Sequence, residues 1–132
     1  MIYATVEFYI DTYMSEVMDD EEIIERQLKN ASRIIDILTF NRIKRYGFEK
    51  CSDWEKEIIS EVCCEIADFY FENAEDLTTL LNRYTINGVT VEFGNTNANI
   101  VNLNGITIPR ITYSKLAQTR FASLSNSYNY LY

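Results

Sequence analysis

The chain has 132 residues, 47 % of them hydrophobic and 24 % charged, with a formal net charge of −8. That is one domain, with enough material for a real core and little left for a second. Histidine is absent, which excludes Ser-His-Asp and Cys-His catalysis and every His-containing metal site.

The three cysteines are Cys51, Cys63 and Cys64. An odd count with an adjacent pair is no disulfide framework, and three thiols fall short of a four-cysteine zinc site. They read as reduced structural thiols of a cytosolic protein. The N-terminus has neither the basic segment nor the apolar core of a signal peptide. No apolar run approaches the ~20 residues of a membrane span, so no membrane partner is expected. Charge is lopsided. Residues 1–80 hold 19 acidic and 8 basic residues, whereas residues 81–132 hold 1 acidic and 4 basic. Acidic charge repels phosphate and disfavours specific nucleic-acid binding. It suits a solvated helical surface, a basic partner, or a passage in which nucleic acid slides without sticking.

In chain order, Thr5 to Tyr13 reads as a short helix with Thr5 as N-cap, anchored by Phe8 and Tyr9. Asp19-Asp20-Glu21-Glu22 opens a stronger one, with Asp19 as N-cap and Glu22 completing a capping box. Ile23, Ile24, Leu28, Ala31, Ile34, Ile35 and Leu38 fall on one face. Glu22–Arg26 and Glu25–Lys29 have the spacing of i,i+4 pairs. Tyr46-Gly47 is the expected stop, because glycine accepts the left-handed conformation. Ile37 lies just outside the stripe and Phe40 points well away from it. Both suit burial under a loop or contact with another subunit.

Ser52-Asp53-Trp54-Glu55 is a second capping box, opening a helix to about Asn73. Its apolar face carries Ile58, Ile59, Val62, Cys63, Ile66, Phe69 and Tyr70. The opposite side carries Glu57, Glu61, Glu65, Asp68 and Glu72, with no Lys or Arg between them. This is either solvated surface or a face matched by a basic partner or a channel. Five carboxylates in a row lack the asymmetric environments of a catalytic pair, and no phosphate-binding or calcium loop motif occurs. An enzyme, a cofactor and a metal are therefore not expected.

Glu75 to Arg83 reads as another helical segment. After Arg83 the sequence becomes β-like, with turn signals at Asn87-Gly88 and Asn104-Gly105. A hairpin is expected over about residues 84–108, leaning on the helices. Pro109-Arg110 introduces a short helix, Ile111 to Thr119, with Tyr113, Leu116 and Ala117 as contacts. The last twelve residues, 121–132, hold no charge and several large apolar or aromatic side chains. They suit ordering by docking on a partner.

These pieces resemble, in order and spacing, the head–tail connector (adaptor) proteins of tailed bacteriophages. The resemblance rests on Phe8-Tyr9 with Thr12-Tyr13-Met14, and on the segment from Ala31 through Ile34-Ile35-Asp36-Ile37-Leu38 to Ile43, followed by Gly47-Phe48. It continues through Glu61-Val62-Cys63-Cys64-Glu65-Ile66-Ala67-Asp68-Phe69 and Ile86-Asn87-Gly88-Val89-Thr90. It ends with Asn104-Gly105-Ile106-Thr107-Ile108-Pro109, leading into Thr112-Tyr113-Ser114-Lys115-Leu116-Ala117-Gln118-Thr119. Two positions differ: Glu65 stands where glutamine is common, and Arg120 where glycine often follows the threonine.

The resemblance implies a mainly α fold: a small helical bundle of two long helices plus shorter ones, with a β-hairpin insertion. Residues 1–120 would form the connector domain and residues 121–132 an extended C-terminal arm. It implies a virion protein with no enzymatic activity and no cofactor, assembled in the bacterial cytoplasm. A ring, commonly of twelve copies, would sit under the portal protein and extend the channel for double-stranded DNA. It would also present a platform to a stopper or other neck protein. Tyr113, Leu116, Phe121, Leu124, Tyr128, Tyr130 and Tyr132 are the expected portal anchors, since aromatics dominate interfaces. Ile37, Phe40, Arg83 and Arg110 are the expected contacts between subunits. Two other classes compete: a small acidic regulator that mimics DNA toward a basic protein, and a related stopper or tail-completion protein.

Overall fold

The computed structural model describes residues 2–73, 100–103 and 105–122. Helix α1 spans Glu21–Leu38. Its N-cap is Asp20 rather than Asp19: the Asp20 carboxylate accepts the Glu22 N–H at 2.9 Å. Ile24, Leu28, Ala31, Ile34, Ile35 and Leu38 are buried, as the periodicity requires.

The helix does not run on to Tyr46. Thr39 turns its hydroxyl back onto the Ile35 carbonyl at 2.8 Å. Phe40 and Asn41 both take positive φ, 55° and 59°, and the Asn41 N–H closes on the Asp36 carbonyl at 2.8 Å. Asparagine tolerates this region, but phenylalanine enters it at a cost of about 1–2 kcal/mol. The chain then restarts as α2, Arg42–Tyr46, which Gly47 ends at φ 104°.

A single 3-10 turn, Phe48–Lys50, leads to α3, Asp53–Glu72. The capping box forms as expected. Ser52 Oγ accepts the Glu55 N–H, and the Glu55 carboxylate accepts the Ser52 N–H at 3.2 Å. Helices α1 and α3 are antiparallel. Cys63 Sγ donates to the Leu28 carbonyl at 3.5 Å, while Met18 and Asp68 meet at the Tyr9 hydroxyl. Residue Tyr3 stitches the pair from one side: its N–H donates to Ser32, its carbonyl accepts from Ser60, and its hydroxyl donates to Asp36.

Thr5 caps the N-terminal helix through the Phe8 N–H at 3.0 Å. Phe8–Tyr13 then widens into a π-type turn, closed by the Met14 N–H on the Tyr9 carbonyl. After α3, strands β1 (Ile100–Leu103) and β2 (Ile106–Pro109) pair antiparallel, with Leu103 opposite Ile106. Just before β2, Gly105 sits at φ 83°, where glycine is at ease. Tyr70 donates to the Thr107 carbonyl at 2.9 Å and ties the hairpin to α3. Helix α4, Arg110–Leu116, is shorter than expected. Gln118 and Thr119 bond back only three residues, to Lys115 and Leu116, which tightens the chain out of the helix.

The protein is mainly helical with a small antiparallel hairpin. The expected helix at Glu75–Arg83, Arg83 itself, the Asn87-Gly88 turn, Asn104, and the tail residues Leu124, Tyr128, Tyr130 and Tyr132 lie outside the described residues.

Candidate functional site

Helix α3 is the central element. Helix α1, α4, β2 and the N-terminal helix all pack on it. Burial therefore runs nearly all round it: Cys64, Ala67 and Asp68 are covered as well as Ile59, Val62, Cys63 and Ile66. The three cysteines are free and buried. Burial pushes the Cys63 thiol up to about 12, so it stays protonated and unreactive.

This packing corrects the expected carboxylate stripe, because the five acids do not share one open face. Glu57 and Glu72 are exposed. Glu61 and Glu65 face α4, where Lys115 reaches both, and Thr112 donates to Glu65 at 2.8 Å. The Glu65 hydrogen bond raises the Lys115 ammonium above its usual range. Asp68 is 8 % exposed and accepts from Tyr9 Oη at 2.5 Å and Ser15 Oγ at 2.7 Å. One cation of the same chain, Lys115, meets two of the five acids, Glu61 and Glu65.

The expected portal anchors divide. Leu116 is fully buried and Phe121 is 4 % exposed; both belong to the subunit's own core. Tyr113 is half-buried against that core. Any arm available for docking thus begins after Ala122, which is itself buried. The reason is a clamp that sequence reasoning missed. Arg120 donates two hydrogen bonds to Glu55, both at 3.1 Å, and one to the Tyr46 hydroxyl. Its guanidinium lies 4.5 Å from the Tyr46 ring centroid. Arg42 adds a hydrogen bond to the Phe121 carbonyl at 3.2 Å. The only signal was an arginine at a position where glycine was the expectation.

The expected subunit contacts Ile37 and Phe40 are exposed, by 52 % and 40 %. They stand at the corner between α1 and α2, and Arg110 is exposed on α4. Two grooves flank the corner. One, of about 410 Å³, is lined by Arg42, Arg45, Tyr46, Arg120 and Phe121. The other, of about 400 Å³, is lined by Ile2, Lys29, Arg33, Asp36 and Lys44. Lys29, Arg33 and Ile37 sit at i,i+4 spacing and so form one ridge of α1 running to the corner. Arg45 is held by the Phe40 carbonyl at 3.2 Å, and Arg42 lies 5.4 Å from the Phe40 ring centroid. Trp54, at the start of α3, is also exposed.

The antiparallel pairing turns a sequence pattern into a spatial one. Residues 2–25 hold eight acids and no base, residues 26–56 eight bases and four acids, and residues 57–73 five acids and no base. The start of α1 lies beside the end of α3, so one end of the bundle is acidic. At the other end α1 meets α2 in a locally basic corner, with Arg33, Arg42, Lys44 and Arg45 against Asp36. Ile37, Phe40 and Tyr46 lie on that corner, and Trp54 stands at the neighbouring start of α3, where Asp53, Glu55 and Glu57 outnumber Lys56. Aromatic residues and arginine beside a few aliphatics are the composition of protein interface cores.

Phe40 keeps a strained backbone and an open ring, a combination that serves contact better than folding. Substituting Phe40→Gly relieves the left-handed strain. Thermal melting should show stability within about 1 kcal/mol of the parent. A melting point more than about 5 °C lower would make Phe40 a packing residue instead.

Among the described residues, no group of three or more His, Cys, Asp or Glu side chains is placed to hold a metal ion. No described helix is long and apolar enough to cross a membrane. No protein-family model, curated protein or solved structure matches the chain.

Proposed function

We propose that the chain is a structural virion protein, a head–tail connector that forms a ring under the portal of a tailed bacteriophage. It works by contact, without catalysis or a cofactor. The ring, of twelve copies by the resemblance, extends the channel through which double-stranded DNA passes without specific binding. Its far side receives a stopper or other neck protein. The observation that carries the reading is the basic and aromatic corner on a charge-polarised bundle. Such a subunit has two different faces to offer, which is what a cyclic assembly needs. The order of the sequence segments supports the same reading.

The test is co-sedimentation with the portal ring encoded in the same genome, at low and high salt. About one copy per portal subunit, retained at high salt, is expected. A variant lacking residues 123–132 keeps Phe121 and Ala122 in the core, so the subunit still folds. Portal binding by that variant should fall at least about tenfold. No portal binding by the full chain at either salt would sink the connector reading. The acidic end favours one other class, a regulator of a basic protein. Its complex would weaken steeply with ionic strength, since exposed charges are screened beyond ~8 Å at 0.15 M salt.

A further inference from the structure

We infer that the α1–α2 corner is the docking face for a second copy of this chain, which presents to it the acidic end formed by the start of α1 and the end of α3. The corner's occupant is identified by charge. Its ridge and grooves carry Arg33, Lys44 and Arg45 on exposed positions. The opposite end carries Asp19, Glu22 and Glu72, also exposed. The Asp68 network places those acids together, because Met18, Tyr9 and Asp68 share one hydroxyl.

A chain with net charge −8 repels its own copies in any random orientation. Only an orientation that sets one copy's basic α1–α2 corner against the next copy's acidic end turns repulsion into attraction. Like-charge juxtaposition disfavours the alternatives, so charge selects the register. The apolar residues Ile37 and Phe40 lie within the corner and bury on contact, which adds a part that salt does not screen. The contact is heterologous, so it propagates from copy to copy. The inference rests on the proposed ring only for closure; the pairwise contact is tested without a portal.

Two triple variants of the full chain test it: R33E/K44E/R45E at the corner, and D19K/E22K/E72K at the acidic end. None of these side chains is buried, and circular dichroism melts confirm that each variant folds. Sedimentation velocity over a concentration series is the readout. The parent should associate, more weakly as salt rises. Each variant alone should lose at least about tenfold in association constant. An equimolar mixture of the two should regain association, because the intact acidic end of the first meets the intact corner of the second and the two reversed faces match each other.

Parent-like association of either variant alone would overturn the docking face, as would a mixture no better than its parts or a parent that stays monomeric. The connector reading fails separately, by absence of portal binding. Restored association in the mixture with no portal binding keeps the docking face and removes the connector.

Discussion

Substituting Asp68→Ala should lower stability by about 2–4 kcal/mol. For a chain of this size that is on the order of 10 °C in melting temperature. The carboxylate accepts from Tyr9 at 2.5 Å and from Ser15 at 2.7 Å. Those two groups hold the loop after the N-terminal helix, since Met18 N–H donates to the Tyr9 hydroxyl and Val17 N–H to Ser15 Oγ. Removing the acceptor leaves the Tyr9 hydroxyl only Ser15 Oγ, at 3.1 Å, and leaves the Ser15 hydroxyl without its carboxylate in a largely dry site, so the cost is that of lost hydrogen bonds rather than of a lost charge. Tyr9→Phe should cost less, about 1–2 kcal/mol, because Ser15 still satisfies Asp68.

The same network has a signature at high pH. Burial first, and then the hydrogen bond to Asp68, push the Tyr9 hydroxyl up to about 12. The unfolded chain releases this proton near pH 10. The contribution is therefore complete below about pH 10 and is lost as pH rises toward 12. A loss below about 0.5 kcal/mol in Asp68→Ala, measured by urea unfolding, would mean that the network does not hold the N-terminal segment.

Substituting Arg120→Ala should cost about 1–3 kcal/mol and free the turn at residues 117–122. The partner Glu55 has a side chain only 5 % exposed, so losing the cation strands a carboxylate that burial already disfavours. The Arg120 side chain is 54 % exposed, and solvent screening keeps the figure below that of a fully buried pair. Burial pushes the Glu55 carboxyl up, but Arg120 and the Ser52 N–H outweigh it and leave the group below its usual range. A lowered folded value places this stability above the unfolded value, near pH 4.3, and removes it as pH falls through the folded value. The acid unfolding limb of Arg120→Ala should therefore move to higher pH. Hydrogen exchange at residues 117–122 should quicken. Unchanged exchange there, with an unchanged melting point, would remove the clamp from the account of how Phe121 is held.

Features that depend on neighbours in the chain were legible beforehand. The Ser52–Glu55 box set the start of α3 correctly, because a cap is made by groups within four residues of each other. The buried stripe of α1 followed from its period, since every third or fourth residue must leave water together. Phe40 and Ile37 were marked by not fitting that stripe, and both do lie exposed. Gly105 beside the start of β2 takes the positive φ that glycine was expected to supply.

Features that depend on distant partners were decided by the tertiary structure. The break at Thr39–Asn41 was hidden because the apolar spacing continues to Ile43, which is buried after a new start. Its local hint was Asn41, one of the few residues tolerant of the left-handed region. The carboxylate stripe looked open because its cation, Lys115, is 50 residues from Glu65. Phe121 looked available because Glu55, which holds Arg120 beside it, is 65 residues away from that arginine. The grooves at the corner need α1, α2, the segment after α4 and the chain's second residue brought together. Capping, turn chemistry and periodicity are short-range forces, and sequence alone determines them. Which charges meet, and which faces remain uncovered, is settled by packing between elements far apart in the chain.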